Sequence, residues 1–156
     1  MPGRFDMLPR KHMLLLITAC VAALLLNLLL QLAAIAVGVR TAFGAERQPA
    51  ASLSGQVARL GILVTFLFFG HLLQIAVWAV LFRIVGAFGD FSTSFYHSTV
   101  NYSTLGYGDI VMAEPWRLAG ALEASVGVMM FGVSTATLFA AVSRMFATRF
   151  SRGENQ

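Results

Sequence analysis

The chain has 156 residues, the length of one domain, and 58% of them are apolar against 12% charged, where a soluble domain carries roughly 45–50% and 25%. Composition therefore excludes an ordinary soluble fold. The formal charge of +4 does not indicate a nucleic-acid partner, because the 11 Arg and Lys residues sit in ones to threes at the ends of apolar stretches and form no patch interleaved with aromatics. That distribution is what membrane topology requires. Cys20 stands alone inside an apolar run, so it reads as a packing residue and not as half of a disulfide or part of a metal site.

Four stretches are almost free of charge: 12–39, 60–82, 91–108 and 118–143, the last broken only by Glu123. A spanning helix needs about 20 mostly apolar residues. The first stretch follows a basic start (Arg4, Arg10, Lys11) but is longer than the roughly 7–15 apolar residues of a signal peptide, so a retained membrane helix is expected over 12–39. Asn27 and Gln31 share one face of it. Residues 40–59 read as a short polar linker whose second half forms a brief interfacial helix.

The second stretch predicts a spanning helix over 60–83 with His71 and Gln74 on one face. His71 and Asn27 each lie near the middle of a span, so antiparallel packing of the two helices would let them hydrogen-bond across the interface. Such pairs in lipid are worth about 0.6–2 kcal/mol. A metal or proton-relay role for His71 is disfavoured, since no second histidine or carboxylate shares its face.

The third stretch differs in kind, because half of FSTSFYHSTVNYSTLGYG is Ser, Thr, His or Asn. A lipid-facing helix would not carry that load, and non-helical backbone at membrane depth is tolerated only where protein buries it or it lines a water-filled path. The expected form is a re-entrant loop: a short helix over 92–103 with Ser92 or Thr93 as its N-cap, then an extended Gly-rich strand. The fourth stretch predicts a helix over 118–146, with Gly120, Gly127 and Gly132 leaving small faces for close contact or a bend. Glu123 should face protein or water rather than lipid, bonded to the short helix through Asn101 or Ser98. The tail 147–156 is too short for a ligand-binding domain.

Ser103-Thr104-Leu105-Gly106-Tyr107-Gly108-Asp109 is the informative motif. Over about 60–146 the chain resembles the potassium-channel pore family, whose filter is written T-V-G-Y-G, with Leu105 in place of valine. The resemblance implies an all-α membrane protein with three transmembrane helices, a re-entrant pore helix and a selectivity filter over 104–109. One filter strand per chain implies a C4 homotetramer. In such a ring the carbonyls of Thr104, Leu105, Gly106 and Tyr107 and the Thr104 hydroxyl replace the hydration shell of K+. Gly106 and Gly108 permit the unusual backbone that this needs, Tyr107 holds the ring width, and Asp109 concentrates cations at the outer mouth.

Further roles follow from the same resemblance. Tyr96 and His97 take the places of paired pore-helix aromatics, and His97 serves either as a neutral spacer or as a pH-responsive partner for Tyr107 of a neighbouring chain. Asn101 lies at the pore helix's end, whose dipole presents its negative half to a waiting cation. Val100 occupies the position where the family often has a carboxylate. Gly127 matches a hinge position, and Val128, Phe131, Thr135 and Phe139 would line the cavity and lower gate.

Arg40, Arg47 and Arg59 in the linker and Arg144, Arg149 and Arg152 in the tail, against Arg83 and Arg117 by the pore loop, place linker and tail in the cytoplasm and the mouth outside. Three spans then put the N-terminal tail outside, against the preference of its own basic residues. The organisation expected is an N-terminal tail and extra helix (1–39), a cytoplasmic linker (40–59), a pore domain (60–146) and a cytoplasmic tail (147–156). The expected function is passive K+ conduction by a multi-pass cell-membrane protein, of the bacterial inner-membrane kind, with no enzymatic activity, no cofactor and no nucleic-acid partner. Its partners are K+, three further copies of itself and the bilayer. A nonselective cation channel is the nearest alternative, and a small membrane scaffold or enzyme carrying the motif by chance is the alternative of another class. No span carries the periodic arginines of a voltage sensor.

Overall fold

The computed structural model describes residues 10–44 and 52–153, and every regular element among them is helical. In chain order these are α1 (Arg10–Phe43), α2 (Leu53–Ile84), α3 (Phe91–Tyr102), a 3-10 turn (Glu114–Trp116) and α4 (Arg117–Gly153). Three segments are long and apolar enough to cross a membrane: Met13–Phe43, Leu53–Ile84 and Glu114–Ala147. The first has 31 residues, about 46 Å of helix at 1.5 Å per residue, so it exceeds a hydrocarbon layer of about 30 Å.

The helices extend further than the hydropathy pattern suggested. The expected loop over 40–59 is mostly helix, since α1 continues to Phe43 and α2 begins at Leu53. Ser52 caps α2 by accepting the Gly55 N–H at 3.3 Å, and the turn it starts joins the span without a break, so no separate interfacial helix forms. Residues 45–51 of that linker lie outside the described residues. At the other end, α4 runs through the expected tail boundary at 147 to Gly153, there being no proline in this stretch to stop it.

Pairings fix the helix directions. Gly38 faces Leu63 and Phe66, and Gly70 faces Ala34, while Gln74 reaches Gln31; numbers fall along α1 as they rise along α2, so the two are antiparallel. A Cβ on Gly70 would come within 2.8 Å of the Ala34 methyl, so this glycine is what allows the two backbones to approach. α1 then shares a core with the rest of the bundle: Leu16, Cys20 and Ala23 cluster with Trp78 and Phe82 of α2, Tyr102 of α3, and Ala119, Val126 and Met130 of α4. Leu16 and Cys20 lie in the part of α1 that shares this cluster with the first half of α4, and Gln31 meets Ser134 further along both. α1 and α4 therefore run parallel. The extra helix is long and apolar enough to cross, runs in the same sense as α4, and presents Leu15, Leu25, Leu29 and Leu32 outward on its opposite face, as a lipid-facing surface should.

α4 stays helical through Gly127 and Gly132, and the two glycines have different reasons. A Cβ at Gly127 would collide with the Tyr102 carbonyl at the end of α3, whereas one at Gly132 would meet nothing. Gly127 thus seats α3 on α4. Gly127→Ala is expected to lower stability by about 1–3 kcal/mol through overpacking, while Gly132→Ala should be neutral or stabilising by up to about 1 kcal/mol through helix propensity. Denaturant titration of the purified protein in detergent checks the pair, and equal responses would contradict this assignment.

Candidate functional site

The re-entrant segment starts at Asp90, which is extended (φ −140°, ψ 161°) and accepts the Thr93 N–H at 2.8 Å and the Thr93 hydroxyl at 2.7 Å. The N-cap is therefore Asp90, not Ser92 or Thr93. Its carboxylate satisfies two donors at once, which a serine hydroxyl at 92 would not, and the helix accordingly runs over 91–102. These bonds, with the Thr93 N–H first, hold the Asp90 carboxyl below the usual range.

At its far end α3 stops where the Ser103 N–H and hydroxyl both return to the Thr99 carbonyl, at 3.2 and 2.6 Å. The chain then reverses. The Thr104 N–H donates to Asn101 O (2.9 Å), and the N–H groups of Leu105 and Gly106 share Val100 O at 3.0 and 3.3 Å. Val100 thus contributes its backbone carbonyl to the turn.

Beyond this point the backbone alternates. Thr104, Gly106 and Gly108 have φ of 58°, 60° and 76°, while Leu105 and Tyr107 between them do not have positive φ. In a uniform strand successive carbonyls point to opposite sides; reversing the handedness at every second residue cancels that alternation and turns them to one side. Glycine adopts the left-handed region freely, whereas for β-branched Thr104 it costs on the order of 1–2 kcal/mol. A strained residue held in place by its surroundings is common at functional sites. No neighbouring atom crowds the Cα of Gly106 or Gly108, so dihedral freedom, not space within the chain, is what requires glycine here.

The strand 103–109 is exposed along its whole length, including Leu105 at 55% and Tyr107 at 66%. A cleft of about 230 Å³ lies behind it, lined by His97, Val100, Asn101, Gly106, Gly108 and Met112 among others. Asp109 at the mouth accepts the Tyr96 hydroxyl at 2.6 Å. That bond, helped by the Ile110 N–H, keeps the Asp109 carboxyl below its ordinary range and pushes the Tyr96 phenol up. His97 donates from Nδ1 to the Ile110 carbonyl at 3.2 Å and lies against the rings of Phe82 and Phe88, so within the chain it fixes the descending limb of the loop. Burial lowers its pKa, against the Ile110 carbonyl and the Asp109 carboxylate, which favour the charged form.

Two tethers hold α3 from behind. Asn101 spends both amide hydrogens on α4, at Glu123 Oε2 (2.6 Å) and Gly120 O (2.7 Å); Glu123 is fully buried. The second tether was not foreseen. Tyr102 donates to Gln74 Oε1 (2.8 Å), Gln74 to Gln31 Oε1 (2.8 Å) and Gln31 to Ser134 Oγ (2.8 Å), while His71 reaches Tyr102 Oη with Nδ1 (3.1 Å) and Ser134 Oγ with Nε2 (2.9 Å). The expected Asn27–His71 bond does not form. Asn27 Nδ2 turns back to its own helix at Ala23 O (2.7 Å), and it is Gln31, one turn further along, that meets α2. The signal available in the sequence was the pair of polar faces; Tyr102 and Ser134 carried none, because each stands among other polar residues or alone.

Of the expected cavity residues, Val128, Thr135 and Phe139 project from the exposed side of α4, and the Thr135 hydroxyl bonds the Phe131 carbonyl within the helix. Phe131 turns inward, its ring 4.5 Å from that of His71 and 5.6 Å from that of Tyr102. It packs on the pore helix while remaining partly exposed.

A family model described as ion channel matches residues 61–144, more than half of the chain. The chain belongs to this ion-channel family. The matched stretch takes in most of α2, all of α3 and the strand after it, and most of α4, so these elements make up a channel pore domain and the protein is not an enzyme. Comparison with curated proteins and with solved structures returned no match. Lying outside the match, α1 is an addition to the pore domain.

The mouth geometry gives a testable pH effect. Because the Tyr96 hydroxyl holds Asp109 ionised to lower pH, Tyr96→Phe should raise the Asp109 pKa, and the loss of single-channel conductance on external acidification should move to higher pH. An unchanged midpoint in bilayer recordings would remove Asp109 from the mouth.

Proposed function

We propose that the chain is a potassium-selective channel that conducts passively through a filter formed by residues 104–108 of four copies. The observation that carries this reading is the alternation of φ sign over Thr104, Gly106 and Gly108, set within the sequence T-L-G-Y-G. It supports a strand that offers the carbonyls of Thr104, Leu105, Gly106 and Tyr107 to a single axis, where they replace the hydration shell of a K+ ion. K+ is the permeant ligand and no cofactor takes part.

Several features support assembly into a ring. One strand supplies only one side of a coordination shell, and Leu105, Tyr107 and Met129 are exposed apolar residues of the single chain that a fourfold neighbour would cover. Asn101, Glu123 and Gly127 hold the pore helix from behind. Tyr96 and Asp109 brace the mouth, with His97 fixing the loop that leads from it, while Thr135 and Phe139 stand along the path below. Net basic charge at the linker and tail supports a mouth facing outward from the cytoplasm, in a membrane such as the bacterial inner membrane.

Planar-bilayer recording of the purified protein in a K+/Na+ gradient tests the reading. The reversal potential should follow K+, and Gly106→Ala should abolish selective current while leaving the protein's assembled mass unchanged. A reversal potential indifferent to the K+ gradient would make the pore a nonselective cation channel, and a dimeric mass in mild detergent would exclude the fourfold ring.

A further inference from the structure

We propose that Gln31, on the helix that lies outside the family match, is a positioning residue for the filter, acting through a closed, one-directional ring of hydrogen bonds that passes through Tyr102. The proposal rests on residues 104–108 being the conducting filter.

Three bonds of the ring have fixed directions: Tyr102 Oη donates to Gln74, Gln74 Nε2 to Gln31, and Gln31 Nε2 to Ser134. The Tyr102 hydrogen is thereby used, so its oxygen must accept from His71, which places the imidazole hydrogen on Nδ1. A neutral imidazole then has an accepting Nε2, and the Ser134 hydroxyl, already accepting from Gln31, donates to it. Each of the five side chains donates once and accepts once, in the order Gln31, Ser134, His71, Tyr102, Gln74 and back to Gln31. Bonds arranged head to tail polarise one another, and a fully satisfied buried network specifies one arrangement. All five members are buried, so no solvent replaces a missing partner.

The ring visits α1, α2, α3 and α4 and reaches the pore helix at its last residue. Tyr102 is held on its other sides by Gly127 against its carbonyl and by the Phe131 ring, and Thr104, two residues on, begins the strained strand. Gln31 hydrogen-bonds Ser134 and Gln74, not any of these groups. Its removal frees Gln74 Nε2 and takes from Ser134 the bond that orients it, and the disturbance arrives at Tyr102 from both directions.

The experiment uses the full chain with Gln31→Met, which keeps length and apolar volume without the amide, Tyr102→Phe, and the double variant, each purified as assembled protein and recorded as single channels. Gln31→Met is expected to shorten mean open time several-fold and to shift the K+/Na+ reversal potential in the channels that form. The double variant should be no worse than the more affected single one, because one cut already opens the ring. A residue that merely stabilises the bundle would reduce the yield of channels while leaving open time and reversal potential at wild-type values, and that result overturns the proposal, as do effects that multiply in the double variant. Should Gln31→Met fail to assemble, Ser134→Ala cuts the same ring with a smaller change, and wild-type behaviour there overturns it equally. A wild-type protein without cation current would instead refute the filter reading. The ring itself is then read by 15N NMR of His71 in the wild type and Tyr102→Phe: an Nδ1-protonated tautomer in the wild type that is lost when the phenol is removed supports the ring, and an Nε2-protonated or doubly protonated imidazole in the wild type rejects it.

Discussion

Within hydrocarbon a polar group finds its partner inside the protein or not at all, and the arrangement of this bundle follows from that constraint. The pore helix and the strand after it bring amides, hydroxyls and free carbonyls to membrane depth. They are tolerable there because two faces of the surrounding bundle supply partners: Asn101 meets Glu123 and Gly120 on α4, and Tyr102 enters a ring shared with α1, α2 and α4. The carbonyls left over are those of the strand, and in the proposed reading a cation is their partner.

Rigid support and strained backbone are thus separated along the chain. One face of α3, with Ser94, His97, Ser98, Val100 and Tyr102, is buried against the bundle; from Ser103 to Asp109 every residue is exposed, and at 104, 106 and 108 the backbone takes values that glycine accepts most readily. Thr104 is the non-glycine among the three left-handed residues; its hydroxyl donates to the Ser103 carbonyl at 2.7 Å, and its backbone cost falls two residues beyond the anchored Tyr102. Glu123 supplies from α4 a carboxylate that the sequence of the pore helix omits at Val100.

The three spans and the short polar helix between the second and third were legible in the sequence because each depends on local composition. So was Glu123, as an ionisable group cannot face lipid. The N-cap was misplaced because Asp90 and Ser92 are equivalent by residue type, and only the geometry of Thr93 decides between them. Helix ends ran beyond the apolar stretches, since backbone bonding continues past the point where lipid contact ends. The choice of Gln31 over Asn27 depends on the axial offset between α1 and α2, which Gly70 and Gly38 set by allowing close approach. No one-dimensional pattern contains that offset.

The ring has a consequence for the order in which the protein is made. Gln31 is synthesised first, its partner Gln74 enters the membrane with the second span, Tyr102 follows, and Ser134 is the last member to arrive. Until then α1 must reside in lipid with its amides unpaired or loosely paired with α2, a state that favours continued association over drift into the bilayer. Closure is possible only once α4 has inserted in the correct direction and at the correct depth. Of the two bonds Gln31 makes, the one to Gln74 can form once the second span is in place, and the one to Ser134 only after α4 has followed.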